Sequence, residues 1–96
     1  MRKNNEQSLK EVLLELLQQY RLKQGVTEWR IREVWERTMG PVINRHTKEI
    51  RLSRRRLYVR VDSSPLRSEL SYGREKIRKL LNEDLGESYL EEVIIR

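Results

Sequence analysis

The stretch Ile50-Arg51-Leu52-Ser53-Arg54-Arg55-Arg56-Leu57-Tyr58-Val59-Arg60-Val61-Asp62-Ser63-Ser64-Pro65 decides how the rest of this chain folds. Ile50 and Leu52 alternate with Arg51 and Ser53, and Leu57, Val59 and Val61 alternate with Tyr58, Arg60 and Asp62. A period of two marks a half-buried strand. Ser53-Arg54-Arg55-Arg56 reads as the turn between them, so the stretch is a β-hairpin with one apolar face. Its other face offers Arg51, Tyr58 and Arg60 to solvent, with three arginines at the tip. Ser64-Pro65 then starts a helix, with Ser64 as the N-cap and Pro65 at the first helical position.

Downstream, Leu66, Leu70, Ile77, Leu80 and Leu81 continue one helical face. Gly73 falls on that face and either breaks the helix or admits a close backbone approach. Gly86 ends the helix, and residues 91–96 read as a final strand that joins the hairpin. Upstream, Ser8 and Glu11 form a capping-box pattern. Leu9, Val12, Leu13, Leu16, Leu17 and Tyr20 recur at three and four, which predicts a helix over 8–23 with Gly25 as its stop. Residues 1–7 are expected to be frayed and disordered. Thr27 caps a second helix, with Ile31, Val34, Trp35 and Thr38 inside and Glu28, Arg32, Glu33 and Glu36 outside. Gly40-Pro41 ends it, and Val42, Ile43 and His46 form a short further turn.

The element order is therefore α-α-β-β-α(-α)-β, an α+β class with helices packed on one face of a three-stranded sheet. Two apolar helices need a sheet face, and the hairpin supplies only one apolar side.

Composition limits what such a domain can be. The 96 residues make one domain, over 8–96, with 36% hydrophobic residues and no Phe. That is too small for a two-lobed enzyme or a large α/β barrel. With no cysteine there is no disulfide, thiolate zinc site or cysteine nucleophile. The N-terminus lacks the apolar run of a signal peptide. Val12-Leu13-Leu14 and Val93-Ile94-Ile95 are too short to span a bilayer. The expectation is a cytoplasmic chain without a membrane partner. The net charge of +6 is uneven: residues 1–40 carry +2, residues 41–80 carry +8 and residues 81–96 carry −4. A basic block of this kind gathers phosphates by counterion release, although a solvated surface carries the same charges.

The candidate nucleic-acid residues follow from that block. A basic strand face with an outward tyrosine can track a phosphate backbone and stack a base, which selects Arg51, Arg54, Arg55, Arg56, Tyr58 and Arg60. Arg74 and Arg78, four apart on one helix face, can extend the track or simply solubilise the helix. Trp35 reads as core, with an indole N–H that needs a partner. Trp29 either covers an edge of the core or meets a partner. His46, the lone histidine, reads as a structural contact at the helix–strand junction. Ser63 and Ser64 read as capping groups. No carboxylate pair and no Gly-rich phosphate loop stands out, so no enzyme, metal or cofactor is expected. The acidic end, Glu83 to Glu92, can orient the domain on nucleic acid or meet a basic partner.

The ordered set Trp35-Glu36-Arg37-Thr38-Met39-Gly40, His46-Thr47, Leu57 to Ser64 leading into Glu69-Leu70, Leu81-Asn82 and Leu85-Gly86 resembles the DciA family, over residues 8–96. The resemblance implies a K-homology-like fold of the second topology. It also implies a non-enzymatic role in bacterial DNA replication, binding single- or double-stranded DNA and the DnaB-type helicase to assist its loading. Two departures stand out. Many members carry a further long basic segment that is not seen here. The Gly-x-x-Gly loop of true K-homology domains is also missing, since Gly73 in Ser71-Tyr72-Gly73-Arg74 stands alone, so gripping of nucleotides by that loop does not carry over. From the residues alone, an RNA-binding adaptor using the same hairpin and a protein-only scaffold stay open, as does oligomeric state.

Overall fold

The computed structural model describes residues 5–96. Its elements are α1 (Asn5–His46), β1 (Thr47–Ser53), β2 (Arg56–Val61), α2 (Ser64–Tyr72), α3 (Arg74–Leu85) and β3 (Glu92–Ile95). The sheet order is β1-β2-β3, with β1–β2 antiparallel and β2–β3 parallel. The α+β class and the order α-α-β-β-α-α-β agree with the sequence, because α1 is two helical arms kinked at Gly40 and the downstream helix breaks at Gly73. Leu52, Leu57, Val59, Val61 and Val93 form the inner sheet face. Ile31, Val34 and Trp35 of α1, Leu70 of α2, and Ile77, Leu81 and Leu85 of α3 close over it. Leu80, expected on this face, is exposed. The spacing of four from 77 to 81 to 85 holds the seam and leaves Leu80 on its flank.

The first helix differs from expectation in three ways. It begins at Asn5 rather than at a Ser8 cap, and residues 1–4 of the expected frayed end lie outside the described residues. It also runs straight through Gly25. A glycine in an exposed helix costs about 1 kcal/mol, too little to end a helix anchored further on by Ile31, Val34 and Trp35. Thr27 accordingly is not a cap; its Oγ1 donates back to the Lys23 carbonyl at 3.0 Å. The break falls at Gly40, with φ 85° and ψ 172°, a region open essentially to glycine alone. Pro41 restarts the helix, and Asn44 Nδ2 donates to the Glu36 carbonyl at 2.7 Å, satisfying an acceptor beside the kink.

The third difference concerns what the helix covers. The arm before Gly40 is about 50 Å long at the standard helical rise, whereas strands stack only about 4.8 Å apart. The sheet therefore buries only the end of the arm. Leu9, Val12, Leu13, Leu16, Leu17 and Tyr20, expected to pack inward, are exposed, as is Trp29.

Glu28 and Arg32, expected to be merely solvated, line the outer edge of β1 together with Gln24. Gln24 Nε2 donates to the Leu52 carbonyl at 3.4 Å, the Leu52 N–H donates to Glu28 Oε2 at 2.7 Å, and Arg32 Nη2 donates to the Ile50 carbonyl at 3.0 Å. Residues four apart form one row on a helix, and this row satisfies backbone groups that an edge strand would leave open. Trp35 is core as expected, 1% exposed. Its Nε1 donates to Thr47 Oγ1 at 3.2 Å, and that hydroxyl donates to the Ile43 carbonyl at 2.7 Å. The cap of α2 is Ser63 rather than Ser64: its backbone is extended and its Oγ accepts the Leu66 N–H at 3.4 Å.

His46 sits at the helix–strand junction as expected, with Nδ1 2.7 Å from Asp62 Oδ1, while Lys48 Nζ lies 3.4 Å from Asp62 Oδ2. The hydrogen bond from His46, with that from Lys48 and both charges, holds the Asp62 carboxyl below its ordinary value against a smaller opposing effect of desolvation. A depressed carboxylate contributes stability above its unfolded pKa and loses it as pH falls through the folded value. Urea unfolding across an acid series should thus show wild type more stable than Asp62→Asn at neutral pH, with the gap closing below the carboxylate range. The two glycines separate cleanly as well. Gly25→Ala is expected to raise stability by about 0.5–1 kcal/mol, and Gly40→Ala to lower it by about 1–3 kcal/mol, both read by chemical denaturation.

Candidate nucleic-acid interface

Strand register places the hairpin's polar residues. Arg51 pairs with Tyr58, Glu49 with Arg60 and Ser53 with Arg56. In the parallel ladder Arg56 lies beside Glu92 and Tyr58 beside Ile94. Since paired residues share a face, Arg51, Arg56, Tyr58 and Arg60 are brought together on the outer side of the sheet, opposite the helices. Arg54 and Arg55 form the tip. Arg74 and Arg78 belong to α3 on the inner side, so the structure does not join them to the hairpin track.

The tip is a two-residue turn with positive φ at both Arg54 (51°) and Arg55 (64°). Such a turn matches strand twist and normally takes Asn-Gly. Two arginines there hold an unfavourable backbone, and Arg55 has contacts that offset it. Its Nε donates to the Tyr89 carbonyl at 2.8 Å and its Nη2 to the Ser88 carbonyl at 3.1 Å. Its guanidinium lies 5.1 Å from the Tyr89 ring centroid, and its own carbonyl accepts the Glu91 N–H at 2.8 Å. Arg55 thus clamps the segment before β3. Arg78 serves the same segment from the other side: its Nη1 donates to the Leu90 carbonyl at 3.4 Å while Nη2 holds Glu75 at 2.8 Å.

The other candidates differ in how committed they are. Arg74 Nη1 donates to the Ser71 carbonyl at 2.9 Å. Arg56 and Arg60 face Glu92 and Glu49 at 3.4 and 3.5 Å, exposed pairs of the kind worth about 0–1 kcal/mol and easily exchanged for phosphate. Tyr58 is half-buried, with the Arg96 guanidinium 5.0 Å from its ring centroid. Arg51 and Arg54 are exposed, and among the described residues their side chains have no hydrogen-bond or ion-pair partner.

Three residues had no structural or binding role assigned from the sequence. Arg96 continues the alternation of the last strand onto the face of Tyr58, a signal hidden by the acidic character of that end. Asn82, buried on α3, donates from Nδ2 to the Leu90 carbonyl at 3.1 Å and accepts the Leu90 N–H at 2.8 Å. The signal was a polar residue between Leu81 and Leu85 one turn before the capping Gly86. Tyr72 is 93% exposed at the α2–α3 corner, and nothing in its local pattern marked it. Among the described residues no group of His, Cys, Asp or Glu is placed to hold a metal ion, and no described helix is long and apolar enough to cross a membrane.

The sequence model of the family described as Dna[CI] antecedent, DciA, matches residues 8–95. The chain belongs to the DciA family. That is a replication-related family. No curated protein and no solved structure matches the chain. Several positions that carried the resemblance now have physical reasons: in this DciA domain Trp35 fills the core, Gly40 makes the kink, Asn82 ties down the last loop and Gly86 caps α3 with φ 80°.

Arg54 and Arg55 should part company on substitution. Arg54→Gly relieves the turn and leaves stability unchanged or higher. Arg55→Gly relieves the same strain but loses the clamp, for a net loss of about 1 kcal/mol once its exposure is discounted. Thermal unfolding of the two variants measures the difference.

Proposed function

We propose that this DciA-family domain is a non-enzymatic accessory of bacterial DNA replication. In this reading it binds the DnaB-type replicative helicase and DNA and assists loading of the helicase. The family match over residues 8–95 is the observation that carries it. The K-homology-like reading of the second topology is supported by the element order and by a sheet in which a hairpin is followed by a parallel third strand.

DNA would lie across the outer sheet face and the hairpin tip. Arg51 and Arg54 are ready to meet phosphate, and Arg56 and Arg60 can exchange a surface carboxylate for one. Arg55 and Arg78 are occupied in holding the last loop, so their part in binding would be indirect. A protein partner is supported by the exposed apolar residues Leu9, Leu13, Leu16 and Leu17 on one side of the projecting arm, since monomers rarely leave such a contiguous patch uncovered. Any ATP hydrolysis would belong to the helicase.

Two measurements test the reading together. The domain should co-elute with a purified DnaB-type helicase at moderate salt; a complex seen only at low salt would be non-specific charge pairing. Arg51→Glu with Arg54→Glu should weaken DNA binding while leaving the melting temperature in place, and should reduce the slope of log affinity against log salt by about 1.4–1.8. Unchanged affinity in this folded double variant would remove the sheet face from the proposal, and a preference for RNA of equal length would move it to an RNA adaptor.

A further inference from the structure

Beside the hairpin tip, the projecting arm of α1 and the segment before β3 enclose a groove of about 420 Å³. This is within the size range of small-ligand sites. Its lining includes one aliphatic residue, Leu85, and two tyrosines, Tyr20 from the arm and Tyr89 from the segment before β3. Lys23, Arg30 and Arg55 supply three cations against the single carboxylate of Glu87. Tyr20 is 63% exposed, although it continues the face that packs inward further along the same helix.

The walls are fixed before any ligand arrives. Gln24 is tied to the Leu52 carbonyl at 3.4 Å, Arg30 Nη2 donates to the Leu85 carbonyl at 3.2 Å, and Arg55 is held over Tyr89. Each of these bonds uses one donor nitrogen, so Arg30 keeps further guanidinium N–H groups for a ligand. Among the described residues Lys23 has no ion-pair partner. A preformed site loses less freedom on binding.

We propose that this groove receives one nucleotide unit of a single-stranded nucleic acid, with the base on the exposed ring of Tyr20 and the phosphate at Lys23 and Arg30. The inference rests on the nucleic-acid reading given above and adds to it a place where the strand is gripped. An acidic peptide would satisfy the cations but leave the tyrosine ring without use, whereas a nucleotide uses both, since every base has a face that stacks on an aromatic ring. Arg54, next to Arg55 at the tip, lies where a strand leaving the outer sheet face would turn into the groove.

The test uses the full chain and a short fluorescent oligothymidylate, with a second oligonucleotide carrying 5-iododeoxyuridine for photocrosslinking. Crosslinks on Tyr20 or Tyr89 are expected. Tyr20→Ala should lower affinity about 5-fold or more, and Lys23→Ala should reduce the salt slope by about 0.7. Both positions are exposed on a helix that alanine favours, and circular dichroism verifies that the helix persists. Crosslinks confined to Tyr58 or Tyr72, with affinity unchanged in Tyr20→Ala, would overturn the groove while leaving DNA binding intact. Displacement of the oligonucleotide by polyglutamate as readily as by unlabelled oligothymidylate would overturn the nucleotide assignment. No binding by the wild-type chain even at low salt would overturn this inference and the DNA reading alike.

Discussion

Trp35 joins the two layers of this domain. Its ring fills the space between α1 and the inner sheet face, and its indole N–H ends on Thr47, the first residue of β1. Once that contact is made, little freedom remains in how α1 crosses the sheet. The row Gln24, Glu28 and Arg32 then falls along the edge of β1, and Arg37 reaches Asp84 of α3 at 2.6 Å. Arg30 meets the last carbonyl of α3, where the helix dipole favours a cation. The groove at Tyr20 follows from the same placement, because it exists only where the arm passes the hairpin tip.

The basic middle of the chain is less uniform than its charge suggests. Arg55 and Arg78 both bind carbonyls of the segment between α3 and β3, and Asn82 closes the same segment with two bonds of its own. These groups bring β3 into register beside β2, which is what creates an outer face three strands wide. The arginines most able to meet a phosphate are those with the least part in folding, Arg51 and Arg54. Structural and electrostatic work are thus divided between neighbours in sequence, with Arg54 and Arg55 as the sharpest case.

The hairpin was legible because both of its signals are local: a period of two on each side and a turn between them. Trp35, His46 and the break at Gly73 were legible for similar reasons. Of the two upstream glycines, Gly40 was read as a break and is one, while Gly25 was misjudged as a stop, because a single residue type has two outcomes. Gly40 precedes a proline and takes a positive φ, whereas Gly25 sits in a helix held by contacts made further along. Periodicity showed that one side of residues 9–20 is apolar but does not record whether anything covers it. The commitment of Arg55 and Arg78 was also hidden, since both bind groups that are distant or across a loop in sequence.

The continuous arm through Gly25 has a consequence of phase. Successive residues of a helix turn by about 100°, so the direction in which Leu13 and Leu16 face is locked to the direction in which Trp35 enters the core. Losing one residue near Gly25 would keep the length nearly the same yet swing the outer stripe by about 100° around the helix axis. Losing a whole turn would nearly restore its bearing. The spacing between the two ends of α1 is therefore as much a part of the surface as the side chains on it.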